Sequence, residues 1–126
     1  MNILVVEDDI YLARAYITKL KNEHFTVELA TDGEAAMTIL KTFRPDVVIL
    51  DILMPKKDGF ATLEEMKKRD DLKDIPVVVL SNLDQKEAIE RARRMGAVDY
   101  FAKTEMSLDN LVNTLKQYAP NSNTEQ

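Results

Sequence analysis

Three acidic residues stand directly after two apolar segments of this sequence. Glu7 and Asp8 follow the run Ile3–Val6, and Asp51 follows the run Val47–Leu50. If both runs are neighbouring parallel strands, their carboxyl ends lie at one edge of the sheet and the three side chains meet there. Carboxylates gathered in this way repel each other unless a cation lies among them, and oxygen ligands suit Mg²⁺. The spacing therefore predicts a magnesium site.

A hydroxyl and an ammonium follow two later apolar runs. Ser81 comes after Val77–Leu80, and Lys103 comes shortly after Val98–Phe101. Each residue is uninformative alone, because serines are common after strands and most lysines lie on the surface. Together with the acids, however, they form a set that core packing does not require. The sequence thus predicts a single crevice that holds acids, a hydroxyl and an ammonium.

Strand-like and helix-like segments alternate five times along the chain. Apolar runs predict the strands Ile3–Val6, Phe25–Ala30, Val47–Leu50, Val77–Leu80 and Val98–Phe101. Apolar residues at helical spacing predict helices around residues 12–20, 36–43, 60–66, 88–95 and 108–115. In the second strand Phe25, Val27 and Leu29 alternate with polar residues. This alternation is typical of an edge strand with one wetter face.

The ends of the predicted helices have suitable residues. Side-chain oxygens near four helix starts can cap free backbone N–H groups, and they belong to Asp9, Asp32, Asp84 and Ser107. Pro45 and Gly96 fall at or just after helix ends. The single histidine, His24, lies between the first helix and the second strand, at the end of the sheet opposite the acids. We interpret His24 as a loop residue without a catalytic role.

Strict alternation of strands and helices predicts an α/β fold, with a parallel sheet covered by helices on both faces. Five strands in the common doubly wound arrangement take the order 2-1-3-4-5, which is the flavodoxin-like (βα)5 fold. The alternating second strand fits the edge position in that order. The functional crevice is expected between strands 1 and 3, where the direction of winding reverses.

The composition is that of one soluble domain. The chain has 126 residues, of which 45% are apolar and 31% charged, and we predict a single domain over residues 1–119 with a polar tail or linker over residues 120–126. No apolar run approaches the roughly 20 residues that span a bilayer, and no basic leader precedes Ile3. These features predict a cytoplasmic protein that does not bind membranes. The lack of cysteine excludes disulfides and thiolate metal sites.

The charge distribution argues against nucleic-acid binding by this domain. The net charge is −5, whereas a nucleic-acid binder needs a basic face to meet phosphates. Arg91, Arg93 and Arg94 cluster in the fourth predicted helix, but Glu87 and Glu90 lie among them. This mixture is typical of a solvated helix face rather than a binding patch.

Four segments together resemble the receiver domain of two-component response regulators, the fold shared with the chemotaxis response regulator. They are Ile3–Asp8, Val47–Pro55 with the following Lys57-Asp58-Gly59, Val77–Ser81 and Gly96–Lys103. Each segment is a weak signal alone, but all four occur in order with receiver-like spacing over residues 2–118. The resemblance implies a signalling switch that is controlled by Mg²⁺-dependent phosphorylation of an aspartate.

The resemblance gives the acidic residues separate roles. Asp51 would accept the phosphoryl group. Asp8 and Asp51 would bind Mg²⁺ together with the backbone carbonyl of Leu53, and Glu7 would act through a water molecule. Attack by a carboxylate on phosphorus needs charge neutralisation more than acid–base catalysis, and a metal ion and a lysine supply it.

Three further residues have roles by resemblance. Lys103 would hold one phosphoryl oxygen, Ser81 would hydrogen-bond another, and Tyr100 would be the aromatic switch residue that turns inward in the active state. The sequence departs from the family at Thr104, where a proline usually follows the lysine, often with a cis bond. Because a cis bond before a non-proline residue costs about 2.5–4 kcal/mol, we expect a trans bond at Thr104.

The implied partners are proteins. A sensor histidine kinase or a phosphotransfer protein would supply the phosphoryl group. The changed surface of helix 4, strand 5 and helix 5 would then control a downstream effector or output domain, or allow a phosphorylation-dependent homodimer. The domain would not be an enzyme in the usual sense, although it would catalyse its own phosphotransfer and dephosphorylation.

Three alternative functions use part of the same pattern. A phosphatase of the haloacid dehalogenase type also uses an aspartate and Mg²⁺, but Leu53 stands where it needs a second aspartate. A flavodoxin-like cofactor binder needs a hydroxyl- and glycine-rich loop after strand 1, where Glu7, Asp8 and Asp9 would repel phosphate. A phosphorylation-independent pseudo-receiver would normally lack some of the acids or the lysine.

Overall fold

The structure, a computed structural model, describes residues 1–120. Five parallel strands form one sheet in the order β2-β1-β3-β4-β5, and they are β1 (Asn2–Val6), β2 (Thr26–Ala30), β3 (Val47–Leu50), β4 (Val77–Ser81) and β5 (Asp99–Ala102). The helices are α1 (Ile10–Asn22), α2 (Gly33–Ile39), α3 (Gly59–Lys68), α4 (Lys86–Arg94) and α5 (Leu108–Lys116). The predicted fold class, strand order and edge position of β2 are confirmed. The predicted tail lies outside the described residues beyond Pro120.

Two apolar layers lie on opposite faces of the sheet because successive strand residues point to opposite sides. In β3, Val48 and Leu50 pack in the layer with α2, α3 and α4, whereas Val47 and Ile49 pack in the layer with α1 and α5. All four side chains are buried, which explains why this strand is a continuous apolar run rather than an alternating one. Among the described residues, no helix is long and apolar enough to cross a membrane.

Three of the four predicted caps are confirmed. The side chain of Asp9 accepts hydrogen bonds from two N–H groups at the start of α1, and Asp32 and Ser107 each accept one at the starts of α2 and α5. The prediction for Asp84 is wrong, because α4 begins later and its N-cap is Gln85, which makes no side-chain cap. The cap of α3 was not predicted: Asp58 accepts a hydrogen bond of 2.9 Å from the N–H of Ala61.

Helix α2 is shorter than its apolar pattern. The pattern continues to Phe43, but the regular helix ends at Ile39. Beyond it, the N–H of Thr42 donates to the carbonyl of Ile39 at 3.1 Å, a tighter spacing of the 3₁₀ type that is common at helix ends. Pro45 therefore follows this turn rather than the helix itself. Gly96, with φ of 109°, follows α4 as predicted.

Candidate functional site

The three acids meet because of the register between β1 and β3. Val6 is paired with Leu50, so the next residues, Glu7 and Asp51, leave the sheet side by side. The N–H of Asp51 donates to the carbonyl of Val6 at 3.1 Å and extends this pairing by one residue. One carboxylate oxygen from each of Glu7, Asp8 and Asp51 lies within 4.8 Å of the others. Glu7 and Asp51 are only 2% and 3% exposed, whereas Asp8 is exposed.

Lys103 joins the two buried acids. Its ammonium lies 2.7 Å from Oδ2 of Asp51 and 2.8 Å from Oε1 of Glu7. Ser81 of β4 is paired with Ala102 of β5, so Lys103 starts next to the end of β4 and extends across it to the acids. Burial alone would lower the pKa of the Lys103 ammonium, but the hydrogen bonds to Asp51 and Glu7 outweigh burial and leave this pKa raised.

The trans bond expected at Thr104 is confirmed, because no cis peptide bond occurs in residues 1–120. Lys103, Thr104 and Glu105 form a short 3₁₀ turn directly after β5. The ammonium of Lys103 nevertheless contacts both acids. Threonine in place of the usual proline therefore does not displace the charged group from the site.

Backbone N–H groups orient the other oxygens of the buried acids. Oδ1 of Asp51 accepts a hydrogen bond of 3.2 Å from the N–H of Leu53, and Oε2 of Glu7 accepts one of 3.0 Å from the N–H of Asp9. Each buried carboxylate is thus held between Lys103 on one side and a loop amide on the other. Burial still raises the pKa of Glu7 above its ordinary value, although the hydrogen bonds that Glu7 accepts from Lys103 and from the N–H of Asp9 lower it.

The donor set fits a divalent cation. Three carboxylates and one ammonium leave two negative charges at the site when all are ionised. Carboxylate oxygens are the hard ligands that Mg²⁺ takes, and exposed Asp8 lies on the solvent side where an ion enters. The site can therefore hold one divalent ion with full charge compensation. The predicted role of the Leu53 carbonyl as a ligand stays a prediction.

Ser81 and Tyr100 both contact the backbone of Leu83. The hydroxyl oxygen of Ser81, which is fully buried, accepts a hydrogen bond of 3.2 Å from the N–H of Leu83. The hydroxyl of Tyr100 donates to the carbonyl of Leu83. Tyr100 is only 8% exposed, so its ring lies inward, and its role as a switch residue stays a prediction. Burial raises the pKa of the Tyr100 phenol.

The loop between β3 and α3 lies tightly against the end of β3. A side chain at Gly59 would overlap the Asp51 carbonyl and lie 2.6 Å from Cα of Ile52. The N–H of Gly59 also donates to the carbonyl of Ile52 at 3.0 Å. The close approach requires glycine at this position, and it fixes the backbone that carries Asp51 and Leu53.

An open cleft adjoins the acids, and its walls contain one residue that sequence reasoning missed. The cleft is lined by Asp8, Leu53, Phe60, Leu83 and Arg91, with Ile52, Met54 and Asp58. The guanidinium carbon of Arg91 lies 4.0 Å from the centre of the Phe60 ring. The charge pattern of α4 suggested a purely solvated face. The sequence did contain a signal for this contact, because α4 has an arginine and the start of α3 has an aromatic residue, and both helices border the predicted crevice.

The predicted residues thus form two connected groups. Glu7, Asp8, Asp51 and Lys103 form the charged cluster, and Ser81 and Tyr100 are joined through Leu83 beside it. His24 is exposed in the loop before β2, at the opposite end of the sheet. No feature of the described residues brings His24 to the cluster.

Comparison with known proteins gives a consistent result. Residues 3–116 match the family described as response regulator receiver domain. A curated relative, the probable C4-dicarboxylate response regulator DctR of Bacillus subtilis, is 36% identical over 119 residues, which cover 92% of this chain and 51% of that protein. The chain spans about half the length of this relative, and 41% of a probable transcriptional regulator from Cyanophora paradoxa.

Solved structures share the fold. The receiver domain of the Francisella response regulator 1452 has a TM-score of 0.85 at 30% identity, with 93% of this chain and 94% of that chain covered. The Mn²⁺-bound form of response regulator Rcp1 has a TM-score of 0.81 at 31% identity, with 92% and 91% covered.

Proposed function

The chain belongs to the family of response regulator receiver domains, which are phosphoacceptor switches of two-component signalling, and we propose that Asp51 is its phosphoacceptor. The observation that carries this proposal is the contact of Asp51 with Lys103 at 2.7 Å, within a cluster of three carboxylates. A buried carboxylate held by an ammonium and an amide is fixed in one orientation, as a nucleophile must be. The family match over residues 3–116 argues against the phosphatase and flavodoxin-like alternatives.

Mg²⁺ is the proposed cofactor. Asp8 and Asp51 would hold it with the Leu53 carbonyl, and Glu7 would act through a water molecule. When bound, the ion would neutralise negative charge on the phosphoryl oxygens. The charge of the site supports this proposal, because the cluster has two more negative than positive charges.

The side chains of this chain would perform the transfer as follows. An oxygen of the Asp51 carboxylate attacks phosphorus, and the bond from phosphorus to the leaving group breaks. Lys103 keeps its contact with Glu7 and binds a phosphoryl oxygen as a point charge. The oxygen of Ser81 accepts the Leu83 N–H, and its hydroxyl proton would bind a second phosphoryl oxygen. No general acid is required for this step.

Leu83 is the proposed link between the phosphoryl group and the output surface. A phosphoryl group that draws Ser81 toward Asp51 would pull on the N–H of Leu83, and the carbonyl of the same residue holds Tyr100. A shift at Ser81 would thus change the stability of the inward Tyr100 ring. The affected surface is formed by α4, β5 and α5. Phosphorylation would shift the equilibrium of this surface toward its active conformation.

The proposed partners follow from this role. A sensor histidine kinase or a phosphotransfer protein supplies the phosphoryl group in the cytoplasm. The switched surface binds a downstream effector or an output domain, or a second copy of the chain. We propose residues 1–119 as the receiver domain and residues 120–126 as a tail or linker. The domain itself would catalyse its own phosphotransfer and dephosphorylation, without direct binding of nucleic acid or membrane.

The test is the intact mass of the protein after incubation with acetyl phosphate. One phosphoryl group should be gained with Mg²⁺ and none when a chelator removes divalent ions. A phosphorylation-independent pseudo-receiver, the remaining alternative, would gain no mass in either condition. Uptake that is equally fast with and without the chelator would contradict the role of the metal.

A further inference from the structure

Arg91 is the one cationic residue among those that line the cleft beside the acidic cluster. Arg91 belongs to α4, and the other lining residues include Asp8 and residues of the loop that follows β3. The remaining wall nearest the site consists of the apolar side chains of Leu53 and Leu83. An anion that entered this cleft would therefore find one strong hydrogen-bond donor, the guanidinium group.

The guanidinium group of Arg91 is held in place by a ring contact, but its N–H groups donate no hydrogen bond within the described part of the chain. Its carbon lies 4.0 Å from the ring centre of Phe60, a largely buried residue of α3, so a cation–π contact favours this position. Arg91 forms no side-chain hydrogen bond or ion pair with any residue in the described part of the chain. Its planar set of N–H donors is thus free to bind a carboxylate or phosphate in a bidentate manner.

The acids of the cleft do not compete for Arg91. Asp58 is occupied as the cap of α3, where it accepts the N–H of Ala61, and Asp8 belongs to the acidic cluster. Neither forms an ion pair with Arg91. Both carboxylates would instead repel an anionic ligand, so the cation is the feature that makes the cleft suitable for one.

The cleft connects the acidic cluster with solvent through Asp8 and Leu53, and it offers a leaving group a path out of the site. In an in-line displacement the leaving group lies opposite the attacking Asp51 oxygen, across the phosphorus atom. Asp51 is buried at the end of β3, whereas Asp8 of the same acidic cluster and Leu53 line the open cleft that also contains Arg91. Leu53 and Leu83 offer that group no polar side-chain contact.

We propose that Arg91 binds the leaving group of acyl phosphate donors and thereby sets donor preference. The inference rests on the proposed role of Asp51. With acetyl phosphate, a bond forms between an Asp51 oxygen and phosphorus, the bond from phosphorus to the acetate oxygen breaks, and acetate leaves with the bonding electron pair. Arg91 stabilises the negative charge that develops on acetate. With phosphoramidate the leaving group is neutral ammonia, which gains nothing from a guanidinium group.

Initial rates of phosphorylation with the two donors test this assignment. The parent and the variants Arg91→Gln and Arg93→Gln are incubated with acetyl phosphate or phosphoramidate at fixed Mg²⁺ and ionic strength, and phosphoryl gain is followed by intact mass. Arg93 is the matched control, because it is exposed in the last turn of the same helix and does not line the cleft. Both variants therefore lose the same charge from the same helix.

We expect Arg91→Gln to slow phosphorylation by acetyl phosphate about tenfold, the loss typical of one charge-assisted hydrogen bond. Its rate with phosphoramidate, and both rates of Arg93→Gln, should change less than about twofold. The proposal is overturned if Arg91→Gln matches Arg93→Gln, or if it slows both donors equally. A parent that gains no mass from either donor would instead overturn the proposed function, and this inference with it.

Discussion

Lys103 is the residue that makes the buried acids of the site compatible with a folded core. Its ammonium contacts both Glu7 and Asp51, so two carboxylates that would be costly to bury unpaired share one counter-ion. The exposed acid, Asp8, receives no such contact among the described residues. Without a bound metal ion, Asp8 is therefore the acid of the cluster that has no cationic partner among the described residues.

Replacement of Asp8 by asparagine should stabilise the metal-free protein and impair phosphorylation. Removing one of three like charges relieves repulsion, and because Asp8 is exposed the gain in the free energy of unfolding should be about 0.5 kcal/mol. Thermal or denaturant unfolding with a chelator measures it. Asp74→Asn, at an exposed acid outside the cluster, is the matched control. A clear loss of stability in Asp8→Asn would refute the expectation.

Two leucines at the cleft should slow hydrolysis of the phosphorylated form. Leu53 is 53% exposed and Leu83 partly buried, and both line the cleft. Apolar side chains there cannot orient an attacking water molecule by hydrogen bonds. We expect Leu53→Asn and Leu83→Glu, singly and together, to dephosphorylate several-fold faster than the parent with Mg²⁺. Leu108→Asn, at an exposed leucine of α5, is the control, and equal rates in all variants would disprove the shielding role.

Residue types and strand ends were enough to predict the charged cluster, because parallel strands bring their carboxyl ends together whatever the loops do. The contact of Lys103 with Glu7 was not predicted, since the resemblance assigned Lys103 to the phosphoryl group alone. Arg91 was missed for a different reason. Its stacking on Phe60 joins two helices that are distant in the sequence, and charge patterning within one helix carries no information about such a contact.

Helix ends illustrate which local features depend on the backbone rather than on residue type. After α1 the chain turns at His24, which has a φ of 70°. The N–H of His24 donates to the carbonyl of Lys21 and that of Phe25 to the carbonyl of Leu20. This pair of bonds forms the common C-terminal helix cap in which glycine is preferred, because other residues are strained at positive φ.

The variant His24→Gly should therefore stabilise the fold by about 1 kcal/mol without changing phosphorylation, since the strain of positive φ exceeds the entropic cost of glycine. The preceding residue provides the control. Glu23 has a φ of −89°, so Glu23→Gly should instead destabilise by about 0.5–1 kcal/mol. Denaturant unfolding of the two variants is the measurement, and equal effects at both positions would contradict the explanation.

The bounds of the strands and helices were predicted to within about four residues, because buried parallel strands and amphipathic helices have distinct periodicities. The errors fall where tertiary contacts decide. Asp84 has the residue type of an N-cap, yet α4 begins at Lys86, so the N-cap position falls on the next residue, Gln85. Strand β4 extends to Ser81, one residue further than its apolar run, because pairing with Ala102 continues the ladder.

At the scale of the molecule, the sheet order joins the charged cluster to the proposed output surface. The cluster lies over β1 and β3, while Ser81 and Tyr100 lie on β4 and β5. Leu83 is the shared contact, and it lies in the loop between β4 and α4. Only two residues of α4, Ala88 and Ala92, are buried, so this helix has a small apolar contact with the core and little to oppose its displacement.

Phosphorylation should therefore change hydrogen exchange mainly in residues 83–96 and 98–102. These segments contain α4, β5 and the loop between β4 and α4. The measurement compares the protein with and without acetyl phosphate in the presence of Mg²⁺, and Asp51→Asn under the same conditions should show no such change. Changes confined to the surfaces of α1 and α2 would contradict the proposed path through Leu83.

The assignment of Asp51 is tested most directly by intact mass of the Asp51→Asn variant after incubation with acetyl phosphate and Mg²⁺. The parent and the control Asp74→Asn should each gain one phosphoryl group, because their phosphoacceptor is intact. Asp51→Asn should gain none, since its amide is not a nucleophile. Glu7 also contacts Lys103, at 2.8 Å, so this variant also tests whether Glu7 can accept the phosphoryl group instead. A variant without Asp51 that still gains the same mass at the same rate would contradict the assignment.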